Sequence, residues 1–379
     1  SSAASDVYKR QGMLRIWDAV LMPATNGPDS TGGPTQTGRC LLIFPVFQGP
    51  CRSACLQQES SRAADVLGEF LTTMPLIHRS SFRPHPLLPG GHLQSIVPAL
   101  LRRVNGVLYE RVRIETPDDD FLDLDISRVG SDRTVIVSHG LEGHSRRAAV
   151  LGMVKAFNAA GWDAVAWNFR GCGGEPNRRL RSYHSGAWED LDAVIQHVVG
   201  GGSVSTVVLV GFSMGGNIVL KLLGELGRRV HPALRAAVAF SVPCDLASSA
   251  RKMASPSNAL YMRYFLRMLQ SKVRAKMELF PGRIDDIGFE RIRTFKEFDD
   301  RYTAPLCGFE NAEDYWTQAG SRSVLDRIRI PTLLVNALDD PFLGAACYPL
   351  ETAVRHPFLH LEIPRSGGHA GFVGVGKPW

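Results

Sequence analysis

Ser213 lies in Gly211-Phe-Ser-Met-Gly-Gly216, directly after the apolar run Val207–Val210 and before a helix-like stretch, Asn217–Leu226. Glycine, serine and glycine at that spacing, between a strand and a helix, form a nucleophile elbow. The chain must turn so sharply that the serine takes strained backbone angles. Side chains at 211 and 215 would collide with the neighbouring strand and helix. The turn also sets Ser213 at a helix N-terminus, where backbone N–H groups favour developing negative charge. A plain tight turn is the competing reading, because a bare G-x-S-x-G arises often by chance. The strand–turn–helix setting decides for chemistry.

A serine hydroxyl needs a base. Among eleven histidines, His369 follows the apolar run Leu359–Ile363 and the loop Ser366-Gly367-Gly368. It also completes the chain order Ser…Asp…His that accompanies such an elbow. His356 and His360 read as structural. The carboxylate should lie just after the run Thr332–Val335, where Asp339 and Asp340 both stand. One of them would hold the imidazole tautomer and stabilise the imidazolium. The other should cap the turn around Pro341 or point to solvent. After Thr134–Val137 comes Ser138-His139-Gly140-Leu141-Glu142-Gly143. Its Leu141 N–H, with the N–H of Met214, is placed to receive the oxyanion of an acyl-transfer intermediate. His139 and Glu142 read as shaping that loop. No phosphate-binding glycine loop or metal-ligand spacing occurs, and Gly200–Gly202 is an ordinary loop, so neither cofactor nor metal is expected.

These residues need a scaffold. Gly106–Ile114 and Phe121–Val129 alternate in polarity and predict a hairpin around Pro117 and Asp118-Asp119-Asp120. Apolar runs then recur at Thr134–Val137, Ala164–Trp167, Val207–Val210, Ala236–Phe240, Thr332–Val335 and Leu359–Ile363. Helical patterns lie between them, including Arg146–Ala160 and Asp190–Val199. Continuous apolar strands separated by helices predict a mostly parallel sheet covered on both faces, and an elbow serine on such a sheet, followed by Asp and His in that order, points to the α/β-hydrolase fold. About residues 244–325 the interval is too long for a connection and reads as a helical lid, with helices at Tyr261–Lys276 and Phe289–Phe298. The hydrolase domain is expected over 74–379. Residues 12–73 show weak periodicity apart from a helix pattern at Ser60–Leu71, and read as an extension without chemistry. Residues 1–11 look like a translated cloning adapter.

The 379 residues are 44% hydrophobic and 21% charged, as in ordinary globular proteins. A net charge of +6, with pI near 9.0, is spread along the chain without a basic block interleaved with aromatics. That pattern speaks against nucleic acid and leaves peripheral membrane contact as the wider partner compatible with it. Seven cysteines without a C-x-x-C pair read as free thiols, Cys172, Cys244 and Cys347 among them, in a reducing, cytoplasmic setting. No apolar run approaches the roughly 20 residues that span a bilayer.

The chain resembles the YheT-type subfamily of α/β hydrolases, related to eukaryotic membrane-associated α/β-hydrolase-domain esterases and phospholipases. The resemblance runs from about Arg83 to Phe372. It rests on Pro89-Gly-Gly-His-Leu-Gln94, His139-Gly-Leu-Glu-Gly143, Asn168-Phe-Arg-Gly-Cys-Gly-Gly-Glu-Pro-Asn177 and Arg181-Ser-Tyr-His-Ser-Gly186. To these it adds Gly211-Phe-Ser-Met-Gly-Gly216, Phe295-Lys-Glu-Phe-Asp299, Asn336-Ala-Leu-Asp-Asp-Pro341 and Gly367-Gly-His369. It implies hydrolysis of carboxylic esters with short-chain or lipid-like acyl groups, through a Ser-Asp-His triad and an acyl-enzyme. The family's acid commonly stands in a Gly-x-x-Asp-Pro turn. Ala337-Leu-Asp-Asp-Pro341 laid on it selects Asp340, with Ala337 in place of the usual glycine. Relatives of this kind run on into a last helix packed on the sheet, so the chain ending at Trp379 is expected to lack it. A thioesterase or amidase with the same triad, and a hydrolase-fold binding protein without turnover, are the alternative readings.

Overall fold

The computed structural model describes residues 76–77 and 80–375. The expected helix at Ser60–Leu71 lies outside the described residues. Among these, nine strands form one sheet: β1 (Leu76–Ile77), β2 (Glu110–Glu115), β3 (Phe121–Ser127), β4 (Arg133–Ser138), β5 (Asp163–Asn168), β6 (Thr206–Phe212), β7 (Leu234–Phe240), β8 (Thr332–Val335) and β9 (Leu359–Glu362). Their spatial order is β1-β9-β8-β7-β6-β4-β5-β3-β2. All neighbours are parallel except β2 with β3 and β3 with β5.

The apolar strands face core on both sides. In β4, Val135 and Val137 belong to one hydrophobic cluster and Ile136 to the other. Helix α2 (Ala148–Ala159) supplies Val150, Met153 and Phe157 to the first cluster. Helices α3 (Trp188–Gly200) and α4 (Met214–Leu226) supply the second through Leu191, Ile195, Ile218 and Leu222. This is the doubly covered, mostly parallel sheet expected from the strand pattern, in the α/β-hydrolase architecture expected from the elbow and the chain order of the site. The predicted hairpin forms, with its first strand starting at Glu110, and its register pairs Arg111 with Asp125 and Arg113 with Asp123. Both aspartates are buried and meet these guanidinium groups at 2.8 Å. Burying them unpaired would cost several kcal/mol.

From β4 the chain goes to β5 on one side and then to β6 on the other. The resulting reversal opens a crevice at the carboxyl ends of the strands. The residues that follow β4, β6, β8 and β9 line that crevice.

Between β7 and β8 run α5 (Leu246–Met253), α6 (Ala259–Leu279), α7 (Phe295–Phe298), α8 (Ala304–Cys307) and α9 (Ala312–Ala319), with their own core around Met262, Leu266, Leu269, Phe289 and Phe298. The continuous helix expected at Phe289–Phe298 is not formed. Phe289–Arg291 is a single 3₁₀ turn, Ile292 is extended, and α7 begins afresh at a capping box. There the Thr294 hydroxyl accepts from Glu297 N–H while Glu297 Oε2 accepts from Thr294 N–H. A residue that caps so well starts a helix and cannot continue one. A π-helical turn, Asp299–Thr303, follows.

Helix α1 (Gly90–Leu101) was not anticipated as a helix. It buries Gly91, Gln94, Ser95 and Pro98, while Leu93, Ile96, Leu100 and Leu101 face outward. A helix whose inward face is small and polar shows no core-facing apolar period to read. A short helix α10 (Leu350–Arg355) joins β8 to β9.

Candidate active site

Ser213 is the single residue between β6 and α4, at φ +54° and ψ −121°. Such angles are sparsely populated for a residue with a side chain, and its surroundings hold them. Its N–H donates to Phe240 O at 2.8 Å, and its own carbonyl accepts the first helical bond, from Asn217 N–H. The small residues beside it are sterically required. A Cβ on Gly211 would stand 2.5 Å from Gly215 O, and one on Gly215 would stand 2.3 Å from His139 O.

The structure brings Ser213, His369 and Asp340 together. His369 Nε2 lies 2.8 Å from Ser213 Oγ, and His369 Nδ1 lies 3.1 and 3.0 Å from the two oxygens of Asp340. The Asp340 side chain is fully buried and also accepts from Phe342 N–H at 2.9 Å. The imidazole rests against the Phe342 ring, with centroids 4.2 Å apart. Asp339, the other candidate, neither reaches the imidazole nor points to solvent. Its Oδ1 accepts from Gly368 N–H at 3.0 Å, in the loop before the histidine, and its Oδ2 is buried without a partner among the described residues.

Leu141 and Met214 line the cavity that Ser213 and His369 open into. Among the described residues, neither backbone N–H is taken by a protein acceptor. Gly140 packs so close that a Cβ there would stand 3.2 Å from Ser213 Cβ. His139 is buried, which pushes its pKa down to about 3. The neutral ring has one usable tautomer: Nδ1–H donates to Gly140 O at 2.8 Å, and Nε2 accepts from Phe169 N–H at 3.2 Å. Glu142, at φ +52°, donates its N–H to the Tyr183 hydroxyl, which in turn donates to Glu142 Oε1. Both residues shape the loop, as their sequence setting predicts.

The cavity holds about 180 Å³. Its wall is mostly apolar, with Leu246, Met253, Phe265, Leu269, Phe295 and Phe342 among the lining residues. Two polar residues in it escaped the sequence reading. Lys272 on α6 donates to Gly171 O at 2.9 Å and to Cys172 Sγ at 3.0 Å, and so ties α6 to the loop after β5. One turn on, Lys276 donates to Asn177 O at 2.8 Å. Burial pushes the Asp299 carboxyl up to about 6, against hydrogen bonds from Thr303 and Trp316. The motif Phe295–Asp299 and the loop motif Asn168–Asn177 are where a signal for them lay, since these pieces meet at the cavity. Among the described residues no cluster of metal-ligating side chains occurs, and no helix is long and apolar enough to cross a membrane.

Residues 130–286 match the family described as serine aminopeptidase, S33. YheT of Escherichia coli (strain K12), which carries a provisional esterase assignment, is 35% identical over 75% of this chain and 84% of its own length. Phospholipase ABHD3 of Homo sapiens is 31% identical over 75% of this chain and 71% of its own. Among solved structures, the esterase Pf2001 of Pyrococcus furiosus superposes with a TM-score of 0.48 and 18% identity, covering 72% of this chain and 89% of that one. The chain belongs to the YheT-type family of α/β hydrolases, and with it to the carboxylic ester hydrolases.

Proposed function

We propose that Ser213, His369 and Asp340 are the catalytic triad, that the N–H groups of Leu141 and Met214 are the oxyanion hole, and that the substrates are short-chain or lipid-like acyl esters. The observation that carries this reading is the unbroken chain from Ser213 Oγ through both nitrogens of His369 to Asp340, with links of 2.8 to 3.1 Å. Ser213 Oγ attacks the ester carbonyl and its proton passes to His369 Nε2. Asp340 keeps the Nδ1–H tautomer and stabilises the imidazolium. The tetrahedral oxyanion forms beside the two N–H groups. Its collapse breaks the C–O bond, and the departing alcohol takes the proton from His369. Water then gives a proton to His369 and attacks the acyl-enzyme. The second collapse releases the acid and returns the proton to Ser213.

A mostly apolar wall beside Ser213 supports an acyl group with hydrocarbon character, as does the phospholipase among the relatives. A fluorophosphonate should label Ser213 in the intact chain and fail to label Ser213→Ala, whose kcat should fall by several orders of magnitude. Near-normal turnover in that folded variant would remove the serine-hydrolase mechanism. An unlabelled Ser213 in the unaltered chain would favour a binding protein.

We also infer peripheral contact with an anionic lipid surface. The support is the outward face of α1, where Leu100 is 75% and Leu101 63% exposed, together with exposed Leu260, Arg263, Tyr264 and Arg267 on α6. The two helices meet where His92 Nδ1 lies 3.2 Å from the Tyr261 hydroxyl. Apolar and aromatic residues mixed with arginines that have no ion-pair partner among the described residues suit a negatively charged interface.

A further inference from the structure

The segment carrying His369 belongs to no helix or strand, so its part-buried N–H groups take partners from elsewhere in the chain. Three successive ones are taken by side-chain oxygens from three separate parts of the chain. Gly368 N–H donates to Asp339 Oδ1 at 3.0 Å, His369 N–H to Ser95 Oγ at 2.7 Å, and Ala370 N–H to Ser241 Oγ at 2.8 Å. Ser95 lies on α1, Ser241 directly follows β7, and Asp339 precedes the acid of the site. Ala370 and Phe372 have φ of +55° and +48°, a region unfavourable for residues with side chains. Left to itself the segment would relax away from these angles.

Ser95 is aimed at its target. Its hydroxyl hydrogen goes to Gly91 O at 2.6 Å, which leaves an oxygen lone pair for His369 N–H. The neighbouring Gln94 side chain accepts from Val373 N–H at 2.8 Å and donates to Val373 O at 3.1 Å, pinning the far end of the same segment. Backbone meets backbone here: a Cβ on Gly371 would stand 1.7 Å from Gln94 O, and one on Gly91 would stand 1.7 Å from Asp339 O. Helix α1 therefore touches the loop of the acid and the loop of the base at once.

We propose that Ser95, Ser241 and Asp339 clamp the backbone around His369 and set where its imidazole stands between Asp340 and Ser213, with Ser95 the principal positioning residue. The inference rests on the reading of Ser213, His369 and Asp340 as the triad. None of the three clamp residues touches a reacting atom. Each acts through the position of the histidine, and a misplacement of about 1 Å in such a group costs on the order of 10²-fold in rate.

The test is steady-state kinetics on one chromogenic ester with the full chain. Ser95→Ala should lower kcat about 10- to 100-fold while KM stays within about two-fold of the unaltered chain. The rate of fluorophosphonate labelling at Ser213 should fall in parallel. The downfield proton resonance of the His369–Asp340 hydrogen bond should move or broaden. Ser127→Ala is the control, because it removes a buried hydroxyl bonded to Asn158 at the opposite end of the sheet. It should lower Tm without touching kcat or the resonance. At the second clamp position, Asp339→Ala should lose rate while Asp339→Asn, which keeps an acceptor oxygen, retains it. This pair, together with Ser241→Ala, decides the matter if Ser95→Ala does not fold. Normal kcat in folded Ser95→Ala or Asp339→Ala, with Ser213→Ala inactive, overturns the clamp and leaves the triad intact. Retained turnover in Ser213→Ala overturns the triad instead.

Discussion

Two adjacent aspartates follow β8, and their side chains serve different partners. Asp340 accepts from Nδ1 of His369 with both oxygens in reach, whereas Asp339 holds the N–H of Gly368. Asparagine at 340 would offer an N–H where the imidazole needs an acceptor, favouring the wrong tautomer. Asp340→Asn should therefore cost up to about 10⁴-fold in kcat. Asparagine at 339 keeps an oxygen for Gly368 and should cost little. Measuring kcat for both variants on one chromogenic ester decides the assignment, and a large loss confined to Asp339→Asn would reverse it. Choosing Asp340 by its place before Pro341 agrees with this geometry. The role of Asp339 was not legible, because its partner lies 29 residues away in the chain.

At the scale of elements, the elbow depends on how closely α4 approaches β4. A Cβ on Gly215 would meet His139 O at 2.3 Å and Ser138 O at 2.5 Å, both backbone atoms of the segment leaving β4. Neither can yield without moving the strand that ends at the His139–Gly143 loop. Gly215→Ala should therefore lower stability by about 3 kcal/mol or more, read as a shift in the urea midpoint, and should abolish turnover. Gly200→Ala, at the end of α3 where an added Cβ meets nothing, should be neutral or stabilising by up to about 1 kcal/mol. Equal midpoints for the two variants would show that the elbow is looser than these distances require. The strands, the hairpin and the α4 elbow were legible because each carries its pattern within a short window. Helix α1 was not, because its apolar residues face away from the core.

At the scale of the whole molecule, the cavity beside Ser213 and the exposed faces of α1 and α6 lie near one another, since His92 and Tyr261 bridge these helices and Tyr261 packs on Phe342. If this face meets lipid, the chain should co-sediment with vesicles containing an anionic phospholipid and bind less to purely zwitterionic ones. Raised salt should weaken the binding. Leu100→Glu with Leu101→Glu should reduce the bound fraction severalfold while leaving turnover of a water-soluble ester unchanged. Vesicle binding unaffected by that double change would exclude α1 as the contact. An elution volume that shifts towards monomer in the variant would assign the face to a second copy of the chain.

The sequence by itself singled out Ser213 and His369, which the fold brings to 2.8 Å from each other, and it determined the alternation of strands and helices. Each of these is written locally: an elbow needs glycines within two residues of the serine, and a doubly covered strand needs an unbroken apolar run. Which aspartate faces the imidazole was narrowed to two neighbours and then chosen through a family pattern. Tertiary structure decided the rest. The oxygens that hold the peptide of His369 come from Ser95 and Ser241, 274 and 129 positions away from their partners in the chain. Lys272 reaches the loop after β5 across 101 positions. A single serine in a helix or after a strand carries no periodicity that marks its partner. Only the folded chain, which brings those oxygens to the N–H groups around His369, assigns them.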